Sequence, residues 1–226
     1  MGGVCFLVVM SYLPLRCPSL DALLGGGLEV GIVTKVFGAS GTGKTNCCLQ
    51  AVREMAAVGK KTVYVDSEGV SIERLRQICS ESVFHEVLRT VFFYRPESFS
   101  AQETMIAHAV RMRGVGLVVV DTVNRLYRGK RGVELEDVVR SFVRQMTTLQ
   151  VAARQRKLVV LVAEQVYTDA RGVVRPFTSR STDSMVKTVV RFDRVDATLR
   201  EAVLVKHRTQ PVGLRAVFSI APSGLI

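Results

Sequence analysis

Acidic residues are scarce in this sequence relative to basic ones. Its 226 residues include 20 Asp or Glu against 31 Lys or Arg, which leaves a formal net charge of +11. Such an excess favours a polyanionic partner, although part of it can serve solubility alone. From Val151 onward 13 basic residues meet 6 acidic ones, so the final third of the chain carries +7. Nucleic-acid binding is therefore our first functional expectation.

Paired cysteines and long apolar runs are also missing. The apolar run Val4–Met10 is too short to span a bilayer and lacks the basic start and cleavage site of a signal peptide. It is either a strand or a stretch that precedes a true start at Met10. The cysteines form neither an even set nor a C-x-x-C pair, which predicts reduced thiols in a cytoplasmic protein: Cys5, Cys17, Cys47, Cys48 and Cys79. We expect the adjacent pair Cys47 and Cys48 to be buried rather than redox active.

No internal repeat, low-complexity tract or linker divides the chain. With 48% hydrophobic residues it can bury a full core, which predicts one large α/β domain at residues 17–226 after an N-terminal extension at residues 1–16. The predicted helices are a short one capped by Ser19, Asn46–Val58, Ser71–Cys79, Ser100–Met112 and Glu134–Arg156. The predicted strands are Ile32–Phe37, Lys61–Asp66, Thr90–Tyr94, Gly116–Asp121, Leu158–Ala163, Val186–Phe192, Ala197–Lys206 and Leu214–Ile220. We expect a largely parallel central sheet with an antiparallel extension at its C-terminal side.

One glycine-rich segment between a strand and a helix fits the phosphate-binding pattern G-x-x-x-x-G-K-[ST]. Its backbone N–H groups can cradle phosphate oxygens where side chains would obstruct them. Lys44 is predicted to reach the β- and γ-phosphates of ATP, and the Thr45 hydroxyl to ligate Mg²⁺. The alternative is a plain turn between core elements. The predicted nucleotide-binding residues are Gly38, Ala39, Ser40, Gly41, Thr42, Gly43, Lys44, Thr45 and Asn46.

Three polar residues follow other predicted strands at the same edge of the sheet. Asp121 ends the apolar strand Gly116–Asp121, where an acid can hold Mg²⁺. Glu68 comes just after the second strand and is a candidate to activate the attacking water. Gln165 carries an amide close to the expected γ-phosphate position. The alternative for Asp121 is a purely structural aspartate, and the alternative for Glu68 is a solvated turn residue or an acid at the start of a helix.

Two basic loops that each contain an aromatic residue are the candidate DNA-binding elements. The first is Asn124–Gly132, after Asp121. The second is Thr168–Ser184, which lacks apolar periodicity and is long for a compact domain. Arginine and lysine can contact phosphates, and an aromatic ring can stack on the bases of a single strand. A solvated basic face is the alternative. The predicted contacts are Arg125, Arg128, Lys130 and Arg131 in the first loop, and Arg171, Arg175, Phe177 and Arg180 in the second.

Taken together, these motifs resemble those of the RecA-like recombinases in kind and order. They run from Ser19-Leu20-Asp21 and Gly25-Gly26-Gly27 through the phosphate loop, Tyr64–Gly69, Val118–Asp121 and Gln165-Val166. The tail, with Arg200–Arg208, Pro211-Val212-Gly213, Phe218–Ile220 and Gly224–Ile226, is similar to that of the RadB family, short archaeal paralogues of the RadA recombinases. The resemblance covers about Cys17 to Ile226.

This resemblance implies a RecA-like fold that binds ATP, Mg²⁺ and DNA. Lys44 and Thr45 would then be the phosphate and magnesium residues, and Asp121 an acid that holds the magnesium through its bound water. Glu68 would be the water-activating carboxylate and Gln165 the γ-phosphate sensor. It also implies an accessory role in homologous recombination and DNA repair, with weak ATPase activity and no strand exchange. Implied partners are single-stranded or branched DNA, a RadA-like recombinase, a junction-resolving nuclease and further copies of the chain.

The sequence departs from the recombinase pattern at three points. No helix-hairpin-helix segment precedes the core, and Phe6–Val9 matches the F-x-x-A tether poorly, which puts filament assembly in doubt. Glu164 stands where relatives usually have asparagine, so it either weakens γ-phosphate affinity or pairs with a basic neighbour. Two other functions stay open: a DNA-stimulated ATPase recombinase that forms filaments or rings, and a signalling ATPase that does not use DNA.

Overall fold

The computed structural model describes residues 11–127, 133–168, 174–176 and 185–226. The helices are α1 (Pro18–Leu23), α2 (Lys44–Ala57), α3 (Ile72–Ile78), α4 (Glu81–Thr90), α5 (Phe99–Ala109) and α6 (Val133–Arg156). The strands are β1 (Tyr12–Leu13), β2 (Leu28–Glu29), β3 (Val33–Gly38), β4 (Lys61–Asp66), β5 (Val91–Tyr94), β6 (Val115–Asp121), β7 (Val159–Thr168), β8 (Val174–Pro176), β9 (Thr188–Arg194), β10 (Leu199–Lys206), β11 (Arg215–Ala221) and β12 (Gly224–Leu225). No helix in these ranges is long and apolar enough to cross a bilayer.

The central sheet is mostly parallel, as the sequence predicts. Its order is β12-β11-β10-β9-β3-β7-β6-β4-β5, with β8 paired to the extension of β7. Every pair from β9 to β5 is parallel, whereas β9, β10, β11 and β12 pair antiparallel with one another. The parallel strands all end at one edge, here named the carboxyl edge, and begin at the opposite amino edge.

Helices cover both faces of the sheet, which explains why its central strands are apolar on both sides. Helices α1 to α4 pack on one face with Tyr64, Leu117 and Val119, while α5 and α6 pack on the other with Val118 and Val120. Neighbouring residues of one strand thus enter opposite cores, as the two-residue period of a strand requires. This layering confirms the expected RecA-like α/β architecture.

Several elements differ from the prediction, and the short strands β2 and β12 and a 3₁₀ helix at Arg125–Tyr127 were not predicted. Helix α1 begins at Pro18 after Cys17, so Ser19 lies inside the helix, because the fixed φ of proline suits the first helical position. Helix α4 was not predicted, although Phe84 and Val87 bury the apolar face that shows its helical spacing.

The predicted loop Thr168–Ser184 is in part a hairpin. Strand β7 continues to Thr168, and Val166, Tyr167 and Thr168 pair antiparallel with Pro176, Arg175 and Val174 of β8. A three-residue strand is too short to show a pattern in the sequence. The remaining residues of that loop lie outside the described part of the chain.

Candidate nucleotide-binding site

The predicted phosphate loop connects the carboxyl end of β3 to the first residue of α2. Gly41 and Gly43 take positive φ angles of 75° and 101°, which residues with a side chain rarely adopt. Thr42 braces the loop, since its hydroxyl donates to the carbonyl of Ala39 at 2.9 Å. The first glycine, Gly38, lies against β9, where an added Cβ would come within 2.2 Å of the Phe192 carbonyl oxygen. The glycines of the motif thus serve backbone shape and close approach.

Lys44 begins α2 with its side chain folded back over the loop. Its ammonium donates to the carbonyls of Gly38 at 2.8 Å and Ala39 at 2.7 Å, and the residue is only 6% exposed. The buried charge is therefore held at the mouth of a small cavity of about 180 Å³. The cavity is lined by Ser40, Gly41, Gly43, Lys44, Thr45, Asn46, Glu68, Thr122, Gln165 and Ile220.

Asp121 is buried beneath this cavity at the end of β6. One carboxylate oxygen accepts a hydrogen bond from the Tyr64 hydroxyl at 2.7 Å, while the other, Oδ1, has no hydrogen-bond partner in the described chain. Burial raises the pKa of Asp121, and the Tyr64 hydroxyl, the Thr45 hydroxyl and the Lys44 charge oppose that rise. An unpaired buried carboxylate oxygen suits a nearby cation.

These residues fit a magnesium ion that is bound together with phosphates. The described residues include no group of three or more His, Cys, Asp or Glu that could hold a metal by itself. Magnesium characteristically takes only one or two protein oxygens and completes its shell with phosphate and water. Thr45 and Asp121 match that requirement.

Glu68 follows β4 and Gln165 lies in β7, and their side chains are hydrogen bonded to each other. Gln165 Nε2 donates to Glu68 Oε1 at 2.9 Å, and the Thr122 hydroxyl donates to the same oxygen at 2.8 Å. The other oxygen, Oε2, lies 3.2 Å from a guanidinium nitrogen of Arg125. The predicted catalytic carboxylate, the predicted sensor and the first residue of a predicted DNA-binding loop therefore form one cluster.

Two residues that the sequence analysis missed fix the backbone of this cluster. Asp66 is 3% exposed and accepts N–H bonds from Glu68, Gly69 and Val70, which shapes the turn that presents Glu68. Asn124 donates to the Gln165 carbonyl at 2.6 Å and accepts from the Gln165 N–H at 3.0 Å. Asp66 is the last residue of β4 and Asn124 follows β6, both at the carboxyl edge, and that position is the signal that could have identified them.

Glu164, the departure noted in the sequence, pairs with a basic neighbour. Its carboxylate lies 3.0 Å from Lys35 Nζ, with side-chain exposures of 0% and 3%. Because side chains alternate along a strand, Glu164 faces the α6 side of the sheet while Gln165 faces the cavity. The pairing alternative is therefore the one found.

Arginines from other parts of the chain brace the phosphate loop and the start of α2. Arg200 of β10 donates to the Gly41 carbonyl at 3.0 Å. Arg74 of α3 donates to Asn46 Oδ1 at 2.7 Å and to the Ala221 carbonyl at 2.7 Å. The C-terminal strands thus hold the site in shape, a role that no local motif indicates.

The adjacent cysteines Cys47 and Cys48 lie in α2 behind the loop and are 1% and 0% exposed. Burial raises the pKa of both thiols, which keeps them protonated. The prediction that they are buried core residues is confirmed.

Most predicted DNA contacts cannot be placed. Arg125 lies at the cavity, whereas Arg128, Lys130, Arg131, Arg171, Phe177 and Arg180 lie outside the described residues. Arg175 belongs to β8, where only the backbone is described. The segment Phe6–Val9 also lies outside the described residues.

Comparisons with known proteins agree with one another. The Rad51 family model matches residues 11–194. The DNA repair and recombination protein RadB of Methanococcoides burtonii is 34% identical over 218 residues, which cover 92% of this chain and 95% of that protein. The protein of the same name from Archaeoglobus fulgidus is 35% identical over 223 residues, or 94% of this chain and 97% of its own. A crystal structure of the RadB recombinase superposes with a TM-score of 0.79 at 33% identity, over 94% of this chain and 98% of that chain.

Proposed function

Since this chain belongs to the Rad51 family, among its RadB proteins, we propose that it is an accessory protein of DNA repair and homologous recombination that binds ATP and DNA. The observation that carries the proposal is the single cavity shared by Lys44, Thr45, Glu68 and Gln165, with Asp121 buried beneath it. These residues come from four different strand ends or loops. Their meeting at one small cavity supplies the charges and donors that a nucleotide triphosphate with Mg²⁺ requires.

Each residue has a distinct task in this proposal. Lys44 exchanges its bonds to the loop carbonyls for bonds to phosphate oxygens, while Thr45 and Asp121 hold the metal. Mg²⁺ supplies charge neutralisation on the phosphate oxygens when it is bound with the nucleotide. Glu68 orients a water molecule and accepts its proton, and Gln165 donates its amide to the terminal phosphate.

The contacts of Glu68 support slow rather than fast hydrolysis. Its carboxylate accepts bonds from Thr122 and Gln165 and faces Arg125, so its lone pairs are largely engaged. A lone pair that already accepts a hydrogen bond is not available to take a proton from water. To accept a proton from water, Glu68 has to lose at least one of these hydrogen bonds. The bond from Gln165 is lost when the Gln165 amide donates to the terminal phosphate instead.

Arg125 supports a link between nucleotide and DNA. It lies in the first basic loop, where it begins a short 3₁₀ helix at Arg125–Tyr127, and it faces Glu68 at 3.2 Å. A DNA phosphate that attracts Arg125 would draw the guanidinium from the carboxylate. We therefore expect DNA to bind through both basic loops and to change the rate of ATP hydrolysis modestly. The proposed protein partners of this chain are a RadA-like recombinase, a junction-resolving nuclease and a second copy of the chain.

The test measures nucleotide affinity and single-strand affinity for the wild type and Lys44→Ala. Loss of the charged contact to the phosphates should weaken ATP binding at least about tenfold. Lys44 also bonds the loop carbonyls, so circular dichroism and thermal unfolding accompany the assay. For ATP affinity, the matched control is Lys60→Ala, which removes an exposed lysine at the opposite edge of the sheet.

Equal ATP affinity in Lys44→Ala, with an unchanged fold, overturns the site assignment. Strong stimulation of turnover by DNA would instead favour a recombinase that forms filaments or rings. ATP binding without any DNA binding would favour a signalling ATPase.

A further inference from the structure

We propose that the amino edge of the sheet is a second nucleic-acid surface, which binds the phosphate backbone of duplex DNA on the side opposite the nucleotide cavity. The surface consists of the seven segments at that edge: residues 30–32, 58–61, 88–90, 111–114, 154–158, 185–187 and 207–214. Six lie just before a parallel strand, and the last is the turn between β10 and β11. The proposal goes beyond the two predicted DNA-binding loops, which follow strands at the carboxyl edge.

Almost the whole net charge of the chain lies on this edge. The seven segments contain ten Lys or Arg and no Asp or Glu, while the chain as a whole has 31 and 20, so the remainder carries only +1. The ten are Lys60, Lys61, Arg89, Arg111, Arg113, Arg154, Arg156, Lys157, Lys187 and Arg208, and all are exposed. Charge gathered on one edge in this way is the footprint of a polyanion-binding surface.

The segments are contiguous. The guanidinium of Arg156 donates to the carbonyls of Val110 and Met112, which joins the end of α6 to the segment before β6. The Lys61 N–H donates to the Gly114 carbonyl at 3.2 Å, which adds the start of β4.

Towards β3, β9 and β10, four of the cations line one groove. Arg154, Lys157, Lys187 and Arg208 line a groove of about 360 Å³ whose floor includes Gly31. The seven strands from β5 to β10 are separated by six spacings of about 4.8 Å, so the edge extends about 29 Å and faces on the order of eight phosphates of one strand.

Most of these cations have no acidic partner among the described residues. Arg156 bonds backbone carbonyls and Arg208 pairs with Glu29, but the other eight form no ion pair in the described part of the chain. Cations near helix C-termini also complement the helix dipole, which accounts for Arg89 and Arg154. It does not account for Arg113 or Lys187, which lie just before strands, and Lys61 lies over the Phe92 ring at 5.9 Å from its centroid.

The chemistry of the edge favours a duplex backbone over single-stranded bases. The seven segments contain no Phe, Tyr or Trp, and their one imidazole, that of His207, accepts the N–H groups of Thr209 and Gln210. They therefore offer ten cations for phosphates and little aromatic surface on which a base could stack. Contacts of this kind are independent of sequence and tolerate a closed double helix. The molecule would then hold a duplex at the amino edge and a single strand at the carboxyl edge.

The experiment compares duplex affinity across a series of salt concentrations for the full chain and two variants. The edge variant combines Arg113→Gln, Arg154→Gln, Lys157→Asn and Lys187→Gln, with asparagine at 157 because that residue has a φ of +55°. The control variant removes the same charge from cations that are already ion paired: Arg76→Gln, Arg140→Gln, Arg191→Gln and Arg215→Gln.

The edge variant should bind duplex roughly tenfold or more weakly at moderate salt, with its log–log salt slope reduced by about 3 to 4, because up to four phosphate contacts are lost. ATP affinity should be unchanged in that variant, and Lys44→Ala should keep wild-type duplex binding without nucleotide. A failure of the nucleotide site is thereby separated from a failure of the edge.

A second measurement needs no variant. Bound duplex should protect Lys60, Lys61, Lys157 and Lys187 of the wild type from chemical acetylation. The proposal is overturned if these lysines stay reactive, if edge and control variants lose duplex affinity equally, or if neither loses it. Binding of the edge to anionic lipid vesicles but not to duplex would also overturn it, in favour of a membrane surface.

Discussion

At the scale of single residues, Glu68 is the side chain whose surroundings say most about chemistry. Its two oxygens are contacted by Thr122, Gln165 and Arg125, and the turn that carries it is built on the buried carboxylate of Asp66. The carboxylate of a solvated turn residue would be contacted by water rather than by three protein side chains. The arrangement holds a carboxylate at a fixed position beside the phosphate loop.

Glu68→Gln should keep ATP binding and lose most of the slow hydrolysis. The amide preserves the shape and can still accept one hydrogen bond, but it cannot accept a proton from water, a step that contributes typically about 10²- to 10⁴-fold. Single-turnover hydrolysis and nucleotide affinity are measured side by side. Glu97→Gln, an exposed carboxylate beside the same turn, is the control. Unaltered turnover in Glu68→Gln would assign the base to another residue.

At the scale of secondary-structure elements, the buried strands β4 and β6 were predicted with accurate bounds, whereas β7 extends from its predicted end at Ala163 to Thr168. Strand β4 is found as expected, and β6 begins one residue earlier, because an uninterrupted apolar run is a strong local signal. Helix α4 and strand β8 were not predicted, since α4 is amphipathic over only ten residues and β8 depends on its pairing with β7.

The candidate site could be predicted only in part for the same reason. Local motifs identify Lys44, Glu68, Asp121 and Gln165. Arg200 and Arg74 reach the loop from distant elements, and nothing in their own neighbourhoods marks them. Long-range bracing contacts of this kind depend on the tertiary fold.

The ion pair between Lys35 and Glu164 joins the central strands β3 and β7 inside the α6-side core. Glu164→Ala should destabilise the protein by about 3–5 kcal/mol, because it removes one partner of a buried ion pair. Lys35→Met combined with Glu164→Leu should be much closer to the wild type, since no charge then remains buried. Urea unfolding of the single and double variants measures both. Additive losses in the double variant would mean that the two charges are not coupled.

At the scale of the whole molecule, the two edges of the sheet differ in chemistry. The carboxyl edge gathers the phosphate loop, the acidic residues and the predicted aromatic-containing loops, whereas the amino edge carries most of the net positive charge. Of the 13 basic residues after Val151, five lie at the amino edge: Arg154, Arg156, Lys157, Lys187 and Arg208. The +7 of the final third therefore belongs only in part to the second predicted DNA-binding loop.

Communication between nucleotide and single-stranded DNA should pass through Gln165. Its amide bonds Glu68, its backbone is fixed by Asn124, and β7 continues from it directly into the hairpin with β8. A terminal phosphate that takes the amide from Glu68 therefore acts on the strand that leads into the second basic loop. Couplings of this kind are worth about 1–3 kcal/mol, which changes DNA affinity roughly 5- to 150-fold between nucleotide states.

Gln165→Ala should leave single-strand affinity unchanged without nucleotide and abolish the difference between the ATP and ADP states. Replacing Arg171, Arg175 and Arg180 with alanine should instead weaken binding in every state and flatten its salt dependence, because fewer counterions are released. Single-strand affinity is measured against salt for both variants in each nucleotide state, with the amino-edge variant as a control that keeps the carboxyl edge intact. If the triple-arginine variant keeps the wild-type salt slope, the loop is not the single-strand site, and a nucleotide effect on DNA affinity has to reach the DNA through Arg125 and the first loop.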